Sequence, residues 1–318
     1  MTGPLEAFAS AVGPSDPVTC VGGRSQWEEG GEVDPGTREV SAPAGVVAHE
    51  PGEMIVRVRA GTSVADLHAA TSVGGQFVAL EADDPERATV GGVLACGHSG
   101  LRRLGWGPVR DAVLEVTAVD STGALVHAGA PLVKNVTGFD LCRLFVGSVG
   151  TLALVAEVVL RCRPLPEVER WWSAEGVDPF AVFRSLYRPV AVLWDGVTTW
   201  VGLAGYRTDV EAQARAALQS PFEPVEAAPV APGTARRSLP PGGLEALPER
   251  IGHSGRWLAE VGVGMVRCDA AAGGCLDILR PSEVVVDLHR RVKDRFDPTG
   301  RLNPGRSPLR APLVQAAL

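Results

Sequence analysis

Apolar and polar positions alternate along this chain in short blocks of both helical and strand period. Leu5, Phe8, Ala9 and Val12 share one face at helical spacing, so residues 5–12 predict a short amphipathic helix. Pro17–Val21 predicts a strand that runs into the turn Gly22-Gly23-Arg24-Ser25-Gln26, and Met54–Arg59 alternates as a half-buried strand does. Ser63, three residues before Asp66, is a variant capping box; it opens a helix to about Ser72, which Gly74 and Gly75 stop. Phe77–Leu80 predicts a short strand, Thr89–Gly97 a glycine-led helical turn, and residues 98–108 a loop rich in Gly and Arg. Ala112–Val119 and Ala124–His127 predict a hairpin across Ser121-Thr122-Gly123. Asp140–Val146 reads as helix, and Leu152–Cys162 as a long strand halted by Pro164 and Pro166.

Beyond Pro166 the pattern changes. Asp178 caps a helix that begins at Pro179 and runs to Leu186, and a second helix spans Val210–Leu218. Val190–Trp194 and Thr198–Leu203 predict strands, while residues 221–250, with seven prolines, predict a long loose loop. Trp257–Cys268 alternates like one returning strand, Glu283–Arg295 predicts a helix, and Phe296–Arg306 is turn chemistry throughout. These elements predict an α+β protein: a domain over 1–166, a smaller α+β unit over 167–290, and a terminal segment over 291–318.

Composition narrows the function class. At 318 residues, 45% hydrophobic and 21% charged, the chain is long enough for about two domains with real cores. That mix excludes wholesale disorder, a coiled coil or a collagen. A net charge of −7 disfavours nucleic acid as the main partner. No apolar run nears the ~20 residues that span a bilayer; residues 151–160 come nearest and carry Glu157. The first basic residue is Arg24, so no positive leader region is predicted, and the cytoplasm is the default compartment. The six cysteines and six histidines are scattered, with no C-x-x-C and no H-x-x-x-H, so no metal site is predicted.

Lysine and asparagine are rare: Lys134 and Lys293, Asn135 and Asn303. Two glycine-rich turns follow strand-like segments, Gly22–Gln26 and Thr89-Val90-Gly91-Gly92. Such turns can aim main-chain N–H groups at an anion, and a following helix adds its dipole. Ordinary tight turns explain the same glycines. The stretch Arg102–Asp111 is either a loop closed by an Arg–Asp pair or a basic lid over an anionic cofactor. G-x-G occurs at Gly105–Gly107 and Gly262–Gly264, but Arg110 and Arg267 stand where a third glycine belongs, so no Rossmann site is predicted.

The order of these segments resembles the FAD-binding family of the PCMH, or vanillyl-alcohol-oxidase, type, and within it the FAD-binding subunits of glycolate oxidases. The resemblance is carried by Val21–Gln26, Ala88–Gly100, Trp106–Asp111, the K-N-V-x-G-x-D-L-x-x-L-F-x-G-S-x-G-T-L run over Lys134–Leu152, and the terminal Phe296–Arg306 with Asn303-Pro304-Gly305. It implies a two-lobed FAD-binding domain, a smaller α+β cap over the flavin, and a tail that returns to the FAD domain. By the same resemblance FAD would be held by Gly22, Gly23, Arg24, Ser25, Gln26, Thr89, Val90, Gly91 and Gly92 at its pyrophosphate. Gly97, Ser99, Gly100, Arg110, Asp111, Gly150, Thr151 and Val155 would line the rest, with Asn303 close by. His98 is the candidate general base, since it alone among the histidines sits in a cofactor segment. Ala153 departs from the family's glycine after G-T-L, and the histidine metal motif of the single-chain hydroxy-acid dehydrogenases is missing.

Three readings follow. The first is an FAD-binding oxidoreductase subunit of a glycolate (2-hydroxy acid) oxidase complex, with a second flavin subunit and an iron–sulfur subunit as partners and docking at the inner membrane face left open. The second is a self-sufficient flavin oxidase or dehydrogenase of a small alcohol or hydroxy acid. The third is a non-catalytic subunit that retains the fold.

Overall fold

The computed structural model describes residues 3–130, 141–233, 235–240, 242–276 and 281–309. Lys134, Asn135 and the rest of the predicted 131–140 motif, including Asp140 at the expected helix start, lie outside these, as does 310–318.

The chain opens with α1 (Pro4–Val12), β1 (Val18–Cys20), β2 (Arg38–Val40), β3 (Val46–Glu50), β4 (Ile55–Arg59), α2 (Val64–Ser72), β5 (Gln76–Val78) and α3 (Val90–Cys96). There follow α4 (Arg103–Trp106), a 3-10 turn at Val109–Ala112, β6 (Val113–Val119), β7 (Leu125–Gly129), α5 (Leu141–Phe145) and β8 (Leu154–Pro164). Two compact units emerge. One gathers the described residues of 1–100, 108–164 and 280–313; the other holds 101–107 and 165–279.

In the first unit β8 is the organising strand. Its burial is nearly continuous, because it is flanked on both edges in the order β3-β4-β8-β6-β7. All these pairs are antiparallel, and β5 takes up the far end of β8. Val56, Val58, Val116, Val158 and Leu160 form the sheet's contribution to the core, against Leu67 of α2 and Val93 and Leu94 of α3. Glu157 is the one acid in this run, and Arg57 Nη1 donates to it at 3.2 Å and to Glu115 at 2.8 Å. The partner explains how a carboxylate sits in a buried strand. As the Ser63–Asp66 spacing predicts, Ser63 Oγ accepts from Asp66 N at 2.9 Å and opens α2.

A second, small sheet pairs β1 with β2 in parallel, Val18 opposite Arg38. Leu302 bridges to the same Val18, so the far end of the sequence joins the first strand. Two strands here, β2 and β3, are missing from the sequence prediction. β2 has only three residues and no alternation, and β3 is an edge strand whose register slips between Val46 and Ala48.

The second unit adds β9 (Val168–Glu175), α6 (Pro179–Ser185), β10 (Ala191–Trp194), β11 (Thr198–Gly205), α7 (Arg207–Ala217), β12 (Glu223–Val225), β13 (Ala235–Ser238), α8 (Leu247–Ile251), β14 (Trp257–Glu260), β15 (Met265–Cys268) and α9 (Ala270–Cys275). Its sheet runs β12-β9-β11-β10-β14-β15-β13, antiparallel throughout. Two expectations are corrected. The proline-rich 221–250 stretch is no loose loop: β12 and β13 close the two edges of the sheet, and α8 buries Leu247 and Ile251. Proline suits an edge, where one side of the strand needs no partner. Residues 257–268 are a hairpin rather than one strand, turning through Gly262 and Gly264 at φ 81° and 79°. Finally α10 (Glu283–Phe296), capped by Ser282, returns to the first unit.

Candidate functional site

The site grows from the end of β1. Val21 N makes the last ladder bond, to Val40 O at 2.8 Å. The next five amides, Gly22 to Gln26, meet no acceptor within the described residues. Arg24 holds φ 54° and its guanidinium pairs with Glu39 at 2.7 Å. The turn is therefore fixed from outside while its N–H groups stay free.

The second glycine turn behaves differently. Val90 N donates to Thr62 O at 2.9 Å, Gly91 N to Ala60 O at 2.8 Å, and Gly92 N to Thr89 Oγ1 at 3.2 Å. Its amides are already engaged. What its glycines supply is room: a Cβ on Gly91 would lie 2.8 Å from that of Ala60. Of the two turns, only Gly22–Gln26 presents a run of consecutive free donors. The two interlock, since a Cβ on Gly22 would strike Thr89 Oγ1 and one on Gly23 would overlap the Arg87 carbonyl.

A third turn, Gly147–Thr151, is strapped to the end of α3. Gly147 N donates to Leu94 O at 2.9 Å and Val149 N to Ala95 O at 2.8 Å. Val149 holds φ 52°, a left-handed conformation that a β-branched residue rarely adopts. Asn303 Nδ2 donates to Val149 O at 2.6 Å and stabilises it. Asn303 itself is left-handed, at φ 47°.

Asn303 is delivered by a tail built around Asp297. The buried Asp297 carboxylate accepts from Lys293 Nζ at 2.5 Å and from the amides of Leu302 and Arg301 at 2.7 and 3.2 Å. Burial alone would push this carboxyl up, but Lys293 and the amides outweigh it and hold it below the usual carboxylate range. Lys293 also donates to Thr151 O at 2.7 Å, joining α10 to the third turn. Arg301, buried, donates to the carbonyls of Asp16, Ser121 and Val12.

Two narrow clefts meet where Cys20, Gly22, Thr89, Gly92, Ala95 and Asn303 are shared walls. Ala60, Gly91, Gly150 and Val155 line one arm; Gly23, Arg24, Ser25, Gln26, Trp27 and Arg306 line the other. Three buried polar atoms here have no hydrogen-bond partner: Gln26 Oε1, Asn303 Oδ1 and Arg306 Nε. Trp27 and Arg306 were not among the residues singled out from sequence. Rarity flags Asn303, but nothing in the sequence marks one arginine among so many.

The remaining candidates line neither cleft. Val90 is core. Gly97 ends α3 at φ 69°, and its missing Cβ lets Gly147 approach. Ser99 Oγ accepts from Val109 N at 3.0 Å, and Gly100 packs against Glu81. Thr151 donates its hydroxyl to Ser148 O at 2.7 Å. Arg110 and Asp111 are exposed, and Asp111 pairs with Arg143 at 3.0 Å rather than with an arginine of its own loop. His98 lies 3.4 Å from Glu29, away from both clefts. The basic-lid reading of Arg102 is also corrected: both its Nε and Nη2 donate to Glu169, and α4 packs in the second unit, Gly105 beside Val190.

Residues 6–129 match the FAD binding domain family. Over 344 aligned residues the chain is 30% identical to glycolate oxidase subunit GlcE of Escherichia coli (strain K12), covering 95% of each. The chain belongs to this glycolate oxidase subunit family. A shorter match, 35% identity over 126 residues, links 39% of the chain to 27% of glycolate oxidase subunit GlcD of Bacillus subtilis (strain 168). Among solved structures, an alkyldihydroxyacetonephosphate synthase superposes over 95% of this chain and 74% of its own, with TM-score 0.71 at 14% identity. That likeness establishes the PCMH-type fold.

The cofactor of this domain is FAD, and the residues present fit it. Five free amides and the half-buried Arg306 guanidinium suit the diphosphate, an obligate anion. Alanine and glycine walls admit a ligand at van der Waals range. The unsatisfied Asn303 Oδ1 and Gln26 Oε1 suit hydroxyl or N–H donors of a bound molecule.

Proposed function

We propose that this chain works as the FAD-bearing oxidoreductase subunit of a glycolate (2-hydroxy acid) oxidase complex. The first unit, 1–100 and 108–164 with the returning tail, forms the flavin domain, and 101–107 with 165–279 a second, smaller domain. The observation that carries this reading is the convergence of the open 22–26 turn, Asn303 and Arg306 on connected clefts with three unsatisfied buried polar atoms. Bound FAD supplies two-electron acceptance, a capacity no side chain here offers. The chain's own work is to bind and orient. Gly22–Gln26 would meet the anionic part with preorganised N–H groups, Asn303 would fix the turn at Val149 and offer its Oδ1, and the small-residue walls would exclude water.

The oxidation step draws on partners in this reading. The six thiols are dispersed, whereas iron–sulfur ligation takes clustered thiolates, so the iron–sulfur subunit is a separate chain, beside a second flavin subunit. His98, paired with Glu29, is no proton acceptor at this cleft, which supports reliance on a partner for substrate chemistry. Among the described residues no helix is long and apolar enough to cross a membrane. In this reading the complex works in the cytoplasm, with any hold on the inner membrane face supplied by partner chains.

The test is co-purification of the native chain, with an absorbance spectrum and glycolate added before and after removal of bound proteins. The expected result is one flavin per chain that glycolate bleaches fast only in the complex. A chain that never carries flavin overturns the reading, and fast bleaching of the isolated chain replaces it with a self-sufficient enzyme.

A further inference from the structure

The tail carries one arginine, Arg306, that forms no salt bridge among the described residues, with Glu28 the carboxylate that most influences it. Arg306 stacks on Trp27 at 4.0 Å from the ring centre and donates Nη2 to Trp27 O at 2.7 Å. Its Nε is buried with no acceptor. Arg24 lies against the same ring at 4.6 Å, so two cations flank one indole, and Arg24 alone has a paired carboxylate. Burial holds the Arg306 guanidinium below its ordinary range, with Arg24 adding to it, and the Cys96 and Glu28 side chains offset only part of this. A desolvated cation of this kind is costly unless an anion joins it.

The position of Arg306 is enforced. Arg306 N donates to Asn303 O at 3.2 Å, Ser307 N to Gly30 O at 2.9 Å, and Asp34 N to Pro304 O at 3.0 Å. Gly305, at φ 85°, is pressed so close to Asp34 that no side chain fits. These contacts hold Arg306 in the wall of the cleft that the five free amides face.

We propose that Arg306 is a diphosphate-binding residue: the tail supplies the cation, and the 22–26 turn the amides, that together enclose the pyrophosphate of the dinucleotide. The proposal rests on the FAD reading above. The diphosphate is the part of FAD that is anionic in every redox state, so it is the group that matches a half-buried guanidinium with no salt bridge and an unsatisfied Nε. It follows that flavin binding and tail docking are linked, each favouring the other.

The experiment compares wild type, Arg306→Gln and Arg306→Lys after flavin removal, using FAD, ADP and riboflavin as probes and Trp27 fluorescence as readout. A charge-assisted hydrogen bond is worth about a 10- to 100-fold change in affinity. Arg306→Gln is expected to weaken FAD and ADP by that factor and leave riboflavin unchanged, and Arg306→Lys to recover most of the loss. FAD is also expected to slow amide exchange over residues 297–306 in wild type and not in Arg306→Gln. Equal FAD affinity in wild type and Arg306→Gln overturns the proposal, as does an equal loss for riboflavin and FAD. If Arg306→Gln does not fold, Arg306→Lys decides: near-wild-type ADP binding supports the charge role, and loss as great for riboflavin as for ADP overturns it. Absence of FAD binding by wild type itself refutes the FAD reading instead, so the two failures are distinct.

Discussion

Two turns with the same Gly-Gly signature do opposite jobs. At Gly22–Gln26 the ladder ends at Val21 and the next five amides are left free; at Thr89–Gly92 the amides of Val90, Gly91 and Gly92 are engaged by Thr62, Ala60 and Thr89. The difference lies in what precedes each turn. The first follows the small β1–β2 sheet, with Arg24 in a left-handed conformation, and packs against Arg87 and Thr89 without donating its N–H groups to them. The second lies across from Ala60–Thr62 at the end of β4, whose carbonyls collect its N–H groups. A glycine pair thus announces a close approach without saying whether the visitor is a ligand or the chain's own backbone.

The sharpest way to break the comparison is Gly23→Ala. Its Cβ would overlap the Arg87 carbonyl, a main-chain atom that cannot swing aside, and so drive the turns apart. A loss of about 3–5 kcal/mol is expected, read as a fall in urea midpoint together with loss of bound flavin. A variant of wild-type stability would mean that the turns are not locked together.

Next in size is Asp297→Asn, which loosens the tail that completes the first turn and leaves the second alone. Breaking a buried, multiply hydrogen-bonded carboxylate costs about 2–3 kcal/mol here, since Lys293 keeps some solvent. The sign with pH is definite. The carboxyl titrates below its ordinary 3.8 in the folded protein, so its contribution is complete above about pH 5 and fades as pH falls through 3.8 and lower. Denaturation at pH 7 and pH 3 should show a gap between wild type and Asp297→Asn that narrows in acid. A gap that widens in acid would refute the assignment.

The smallest effect belongs to Thr89→Ala, which removes only the cap of α3. About 1 kcal/mol of stability should go, with FAD affinity changed by less than a few-fold. A large affinity loss from this change would mean that the second turn carries more of the ligand than its engaged amides allow.

Much of this architecture is legible in the sequence. Caps at Ser63 and Asp178 accept the hydrogen bonds that the sequence predicts, and the β6–β7 hairpin and the long β8 follow from alternation and flanking turns. The edge strands β2, β3, β12 and β13 were not legible. β13, Ala-Arg-Arg-Ser between prolines, has no apolar period, and only its pairing with β15 makes it a strand. The site was half legible. Glycine content points to both turns, and the rarity of asparagine points to Asn303, but which amides stay free depends on neighbours distant in sequence. The placing of Arg306 beside Trp27, 279 residues away, leaves no local trace.

That separation bears on how the protein is made. Leu302 must reach Val18, and Arg301 the carbonyls of Val12 and Asp16, before the first small sheet is whole. A ribosome synthesising from the N-terminus releases these residues among the last of the described chain, so the nascent polypeptide carries an unfinished edge through most of translation. Insertion of the prosthetic group would then be a late, post-translational event, and the edge of β1 the segment most in need of a chaperone until it happens.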